Sequence, residues 1–301
     1  MNIVIITTDE LYHQYLCVEL ESRHNVLAVL HPQRRKTTGL QDREMRRDRL
    51  ARYGWIHFLL WKLIRNRLYS PGWNEATAMA TVERRYFVNV RRDYQARIAG
   101  KAHKVEDINS EEGIALLSSF EPDVVVASGG PIYSASVVNT SKLMLNYHTG
   151  ISPLYNGAYT VYQTFANRQP AMTGGTLMRM STVVDGGDIL AHYLPAVAAG
   201  DDPVDLFMKA MIGGVELYNR FLTHLTQGKQ FVGVAQGAPF RTYFESEWTA
   251  YQTLAIERYI KQNLCAKYAR DAICQEYWHL EGGEMARAAL KDFLVRLVYR
   301  E

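Results

Sequence analysis

The chain has 301 residues, 48% of them hydrophobic, which is enough to bury a core for one large domain or two modest ones. Its 34 Lys and Arg against 31 Asp and Glu leave a formal charge of +3, so whole-chain charge makes no case for a nucleic-acid binder. Three cysteines (Cys17, Cys265 and Cys274) lack CxxC or Cys/His spacing, which excludes a disulfide scaffold, argues against a metal site and makes a reducing cytoplasm the expected setting. The N-terminus shows neither a basic start nor a small-residue cleavage site, so no signal peptide is expected. The apolar run from Trp55 to Leu60 is too short to span a bilayer.

Asn2–Thr7 is an isoleucine-rich run of the kind that forms a strand buried on both faces. Thr8 and Asp9 are placed to cap a helix carrying Leu11, Tyr15, Leu16 and Leu20, and Asn25–Leu30 reads as a second strand. This β-α-β opening predicts a parallel sheet with crossover helices. The stretch 34–97 departs from that rhythm. It is rich in arginine and aromatics, including Arg46, Arg47, Arg49, Arg52, Arg65, Arg67, Arg84, Arg85, Arg91 and Arg92, with Trp55, Phe58, Leu59 and Lys62 on one helical face. Two or three helices inserted into or laid over the sheet are expected there. The plain reading is a solvated basic face over an apolar stripe; a phosphorylated-substrate site and a peripheral membrane surface are the functional alternatives.

The β/α rhythm then resumes. Strands are predicted at Lys104–Asp107, Asp123–Ala127, Leu143–His148, Thr176–Met180 and Ile189–Leu194, and helices at Glu111–Phe120 and Pro203–Leu225, the latter capped by Asp201 or Asp202. After Gly228 the texture changes. Gly233–Thr242 reads as loop, Glu245–Arg270 as one or two helices with Trp248, Tyr251, Leu254 and Ala255 on one face, and Met285, Ala289, Phe293, Leu294 and Leu297 mark a last amphipathic helix. The expected division is a catalytic domain over 1–228, with the basic insert at about 34–97, and a mainly helical C-terminal extension over 229–301.

No GxGxxG follows the first strand, and GxxxxGK[ST], GxSxG and HExxH are absent. Two segments carry possible chemistry instead. In Leu145-Asn146-Tyr147-His148-Thr149-Gly150, strand alternation puts Asn146 and His148 on one face at the C-terminal end of a strand, where open α/β sheets bind ligands. An amide and an imidazole projecting together can both donate to one oxygen. In Ser181-Thr182-Val183-Val184-Asp185-Gly186-Gly187-Asp188, a carboxylate precedes two glycines. Brought near His148, Asp185 would hold the imidazole's orientation and favour its charged form. Taken singly, each has a plain structural explanation: a satisfied strand-end histidine, and turns at Asp185 and Asp188.

Together they resemble the formyltransferase family that uses 10-formyltetrahydrofolate, whose members act on glycinamide ribonucleotide, methionyl-tRNA and amino sugars. Asn146 and His148 fall on its Asn-x-His strand end, Gly150-Ile151-Ser152-Pro153 replaces its Ser-Leu-Leu-Pro stretch, Gly157 matches the later glycine, and Asp185 falls in its Val-Asp-x-Gly loop. The departures are Gly150 for the usual serine and Asn156 before the glycine. The resemblance implies an α/β fold with a Rossmann-like open, mainly parallel sheet. It makes Asn146, His148 and Asp185 the catalytic residues and needs no metal. It also implies that Gly130, Pro131, Ile132, Tyr133 and Ser181, Thr182, Val183, Val184 hold the pterin through backbone groups, and that Gly150, Tyr155, Asn156 and Gly157 meet the acceptor.

The acceptor expected by elimination is a small primary amine, in the first place a nucleotide-linked amino sugar, with insert arginines at its pyrophosphate and Tyr155 or Tyr159 stacking or hydrogen-bonding. Glutamates at 245, 247, 257, 276, 281 and 284 dilute the positive charge that tRNA would need in the tail, which makes methionyl-tRNA the alternative acceptor and nucleic acid the less favoured partner. Hydrolysis of the formyl donor and a non-catalytic binding role are alternatives of other classes. Monomer and homodimer both remain open, since the tail aromatics would serve either to seal a dimer or to cap the domain.

Overall fold

The computed structural model describes residues 1–33 and 75–299, with positions 47, 50, 51, 54–56 and 59 between them. Most of the basic insert up to residue 74 lies outside the described residues, including Arg46, Arg49, Arg52, Arg65, Arg67, Phe58 and Lys62.

The opening forms as its pattern predicts: strand β1 (Asn2–Thr7), helix α1 (Leu11–Arg23) and strand β2 (Asn25–Pro32). The cap does not. Glu10 is the residue preceding α1, while the Thr8 hydroxyl bonds Glu10 and lies 2.5 Å from His13 Nδ1, and Asp9 accepts from Gln14 Nε2 at 2.9 Å. The side chains expected to cap are thus turned toward their own helix's first turn. The described end of the insert holds α2 (Glu75–Tyr86) and α3 (Val90–Arg97). Val82, Val90 and Tyr94 are buried while Arg84, Arg85, Arg91 and Arg92 stay exposed, which is the solvated basic face over an apolar stripe.

Strands β3 (Ala102–Val105), β4 (Val124–Ser128) and β5 (Leu143–His148) follow, with α4 (Glu111–Ser119) between β3 and β4 and a short α5 (Ala135–Val138) between β4 and β5. Then come β6 (Asn156–Gly157), α6 (Thr160–Ala166), β7 (Gly175–Arg179), β8 (Ile189–Leu194) and the long α7 (Pro203–Thr226). Asp202 caps α7, accepting from Val204 N at 2.7 Å and Asp205 N at 2.9 Å. Among the described residues eight strands, the last of them β10 (Ile273–Glu276) from the tail, form one sheet in the order β10-β8-β7-β5-β4-β1-β2-β3. The five strands from β3 to β5 are parallel, and β7, β8 and β10 run antiparallel beyond β5. The chain leaves β1 toward β2 and β3, then returns to lay β4 and β5 on the other side. This reversal of direction opens a crevice at the strands' C-terminal ends.

The tail is mainly helical, as expected, and also carries two short strands. Besides α8 (Ala250–Lys261) and α9 (Gly283–Val298) it contributes β9 (Thr242–Tyr243), paired with β6, and β10 (Ile273–Glu276), which extends the main sheet. Periodicity missed β10 because four residues of mixed polarity at a sheet edge carry no alternation to read. Trp278 packs into the core between the sheet and α1/α7, Trp248 packs against the cluster of Val161, Phe165 and Ile256, and Phe293 and Leu297 lie with Ile151 and Leu194.

Helices cover both faces. Ile3, Ile5, Val126, Leu145 and Tyr147 face α1 and α7, whereas Val4, Ile6, Val125, Ala127 and Met144 face α4. Strand β5 is set by a close approach to α7. A Cβ on Gly214 would lie 2.4 Å from the Tyr147 ring, and Tyr147 donates its hydroxyl to the Ala210 carbonyl at 2.8 Å. Gly214→Val should therefore displace Tyr147 and destabilise the protein by about 1–3 kcal/mol, the usual cost of overpacking a dense core, as measured by chemical denaturation. Unchanged stability would show that this contact yields freely.

Candidate active site

Asn146 and His148 alternate with Leu145 and Tyr147, whose side chains belong to the core on the α1/α7 side. They therefore stand on the opposite face with Met144, at the C-terminal end of β5. Asn146 is half-buried, and its amide makes no hydrogen bond among the described residues. His148 is 9% exposed. The loop after β7 climbs back toward this strand end and places Asp185 Oδ1 3.4 Å from His148 Nδ1, with the carboxylate side chain 12% exposed. Asp185, distant in sequence, is thus brought to the strand end that carries Asn146 and His148, and it contacts the imidazole.

Asp185 holds that position through a firm local structure. Its φ is +50°, in the left-handed region that aspartate tolerates better than most residues. Oδ2 accepts from Gly157 N at 2.7 Å, leaving Oδ1 for the imidazole. The Asp185 carbonyl accepts from Asn156 Nδ2 at 3.1 Å and from Gln236 Nε2 at 2.6 Å. Gly187 is required on packing grounds, because a Cβ there would lie 1.7 Å from the Arg179 carbonyl oxygen.

The other imidazole nitrogen has a partner as well. His148 Nε2 lies 3.0 Å from the Tyr155 carbonyl. The ring therefore stands between a carboxylate on its Nδ1 side and a carbonyl on its Nε2 side. The approach depends on Gly150, where a Cβ would lie 2.1 Å from the Tyr155 oxygen and 2.4 Å from His148 Nε2.

The residues expected to meet the acceptor are rearranged by this packing. Tyr155 is 5% exposed, stacks on Tyr243 and donates its hydroxyl to Gln169, and Asn156 is 1% exposed beneath Asp185. Their side chains are turned inward and support the loop. Gly150 shapes the His148 environment and Gly157 holds Asp185 through its amide. Tyr159 is 41% exposed, with its hydroxyl toward Glu245.

Gly130, Pro131, Ile132 and Tyr133 border a cavity of about 600 Å³ shared with Thr8 and with residues that follow β2 and β3. The Tyr133 ring is turned into the protein, its hydroxyl on the Gly129 carbonyl, so this segment offers backbone and the 71% exposed Ile132. Ser181 borders a separate cavity of about 330 Å³ with Arg179, Gly186 and Gly187, and Val183 and Val184 stand 64% and 50% exposed. Among the described residues no group of three His, Cys, Asp or Glu is placed to hold a metal ion, and no helix is long and apolar enough to cross a membrane.

Two elements escaped sequence reasoning. Gln236 lies in a segment read as loop, and no periodicity or spacing flags it. His192, fully buried on β8, donates Nε2–H to the Ser152 carbonyl at 2.8 Å while Nδ1 meets the Tyr277 hydroxyl at 3.0 Å, tying the loop after His148 to the tail.

Residues 80–221 match the sequence model of the formyl transferase family. A methionyl-tRNA formyltransferase of Halalkalibacterium halodurans is 30% identical over 126 residues, covering 41% of this chain and 39% of that protein. One from Acinetobacter baylyi is 34% identical over 113 residues, covering 36% and 35%. The chain thus aligns with well under half the length of these curated relatives. A solved 4-N formyltransferase of Francisella tularensis superposes with a TM-score of 0.50 at 14% identity, covering 82% of this chain and 77% of that one, which supports the fold. Residues 80–221 hold Asn146, His148 and Asp185, so the part of the chain that carries the site is similar to the formyl transferases.

Burial lowers the His192 pKa from 6.5 to about 4, partly offset by the Ser152 carbonyl. The native state thus favours the neutral ring, and that stabilisation is complete above pH 6.5 and lost as the pH falls toward 4. Denaturation measured across this window should show a loss on the order of 3 kcal/mol that His192→Gln largely removes. An equally steep profile in the variant would assign the acid sensitivity elsewhere.

Proposed function

We propose that the protein transfers the formyl group of 10-formyltetrahydrofolate to a primary amine. The observation that carries this reading is the contact between His148 and Asp185 at the strand end that also presents the Asn146 amide, which has no partner among the described residues. The attacking amine nitrogen bonds to the formyl carbon, the bond from that carbon to N10 breaks, and one amine proton leaves for N10, so the products are the formamide and tetrahydrofolate. Negative charge gathers on the formyl oxygen in the transition state. The Asn146 amide is free to donate to it, and His148 joins by exchanging the Tyr155 carbonyl for that oxygen. Asp185 orients the ring from its Nδ1 side and relays the amine proton. The exposed apolar side chains at Ile132, Val183 and Val184 suit the flat faces of a pterin, which would cover area now facing water.

The acceptor we favour is a small amine of the nucleotide-linked amino-sugar class. Near-neutral charge and a tail built into the sheet support it, because a tRNA surface needs a sustained basic face. A methionyl-tRNA acceptor is the second reading, supported by the names of the curated relatives. The purified protein should form tetrahydrofolate from 10-formyltetrahydrofolate when a nucleotide-linked amino sugar is supplied. Asn146→Ala should slow turnover on the order of 100- to 1000-fold. Turnover with initiator methionyl-tRNA alone selects the second reading, acceptor-independent formate release points to a hydrolase, and no turnover with any amine sinks the proposal.

A further inference from the structure

Gln236 lies outside the segment that matches the family, yet it reaches the loop that carries Asp185. Its single NH₂ group donates twice, to the Asp185 carbonyl at 2.6 Å and to the Gly187 carbonyl at 2.7 Å. That uses both donors of a primary amide on one turn. The amide oxygen has no partner among the described residues, so the side chain's hydrogen bonds all point at this turn. The backbone leading to Gln236 is itself fixed to the next strand. Val234 N and O pair with Ile189 O and N at 2.9 and 2.8 Å, and a Cβ on Gly233 would lie 2.8 Å from the Asp188 Cβ. The turn is therefore clamped from a rigid edge and not from a free loop.

The clamp sets a geometry that the turn's own residues leave open. Asp185 has positive φ, and its carboxylate is shared between Gly157 N and His148, so a small rotation of the turn moves Oδ1 away from the ring. We propose that Gln236 is a positioning residue, which holds the Asp185 turn at the depth where the carboxylate meets His148. The kinetic part of this inference rests on the formyl-transfer reading; its geometric part does not.

Two variants test it. Gln236→Glu keeps the shape but sets a carboxylate against two carbonyl oxygens, and Gln236→Met removes the donors without adding charge. Crystal structures of both variants should show the Asp185–His148 separation widened from 3.4 Å, with the fold intact by circular dichroism. kcat should fall on the order of 100-fold with the KM of the acceptor little changed, the scale expected when a catalytic group is misplaced by about 1 Å. In an Asp185→Asn background the Gln236 change should add nothing further, because it acts through that carboxylate. An unchanged separation in both variants, or losses that multiply in the double variant, overturns the inference and leaves Gln236 a tail anchor. If the wild-type protein transfers no formyl group, the functional reading falls, and the separation still decides whether Gln236 positions Asp185.

Discussion

The site depends on one contact, the approach of the Asp185 carboxylate to the His148 imidazole, and neither residue's own element delivers it. His148 ends a parallel strand whose depth is set by Tyr147 against Gly214 of α7. Asp185 sits in a turn that leaves an antiparallel strand and must climb to the strand end. A backbone amide from β6 takes one carboxylate oxygen, and side-chain amides at positions 156 and 236 take the carbonyl. The two bonds to the carbonyl are ordinary ones worth about 1 kcal/mol each, and the one to the carboxylate is somewhat stronger. Together they convert a loop, normally the least fixed part of an α/β protein, into a support rigid enough to orient an ionisable pair.

The same logic explains why the tail is wired into the sheet. Strand β10 covers the edge of β8, Tyr277 meets the buried His192, and the segment around Val234 runs along the start of β8. His192 carries the connection onward, since its neutral ring donates to Ser152 in the loop that follows His148. Loss of the tail would therefore reach the site by two routes, through Gln236 to the Asp185 turn and through His192 to the 150–157 loop. That is a physical reason for a segment outside the family-matching core to be built into the fold.

Much of this was legible in the sequence because the residues concerned are governed by local rules. β1, β5 and β8 fall where their apolar runs put them, and α7 extends from the proline after Asp202 to within a residue of its expected end. The pairing of Asn146 and His148 on one face follows from alternation alone. What could not be read depends on chain reversals that periodicity does not encode. The two-residue strands β6 and β9 exist only as a mutual pairing, β10 gains its identity from the edge of β8, and Gln236 acquires its role from where the tail returns. The inward turn of Tyr155 and Asn156 belongs to the same class. Resemblance marked their neighbourhood, but which way a side chain faces was decided by Tyr243 and Asp185.

Gly150 gathers these points into one mechanical constraint. As a departure from the family pattern it first bears on the acceptor, yet its surroundings concern the catalytic ring. The space a side chain would occupy is filled by the Tyr155 carbonyl and by His148 Nε2. The absence of a Cβ lets the imidazole bond within its own loop, and the loop in turn is held by Thr176, which accepts from Ser152 N at 2.9 Å and donates to the Gly150 carbonyl at 2.6 Å. The ring is therefore held between two protein acceptors, and any oxygen that takes Nε2 must compete with a carbonyl 3.0 Å away. Neutral carbonyl groups compete about equally for such a donor, whereas an oxygen gaining negative charge wins by the margin that separates charged from neutral hydrogen bonds. In the proposed reaction that difference confines the exchange to the transition state, where it lowers the barrier without tightening the ground state.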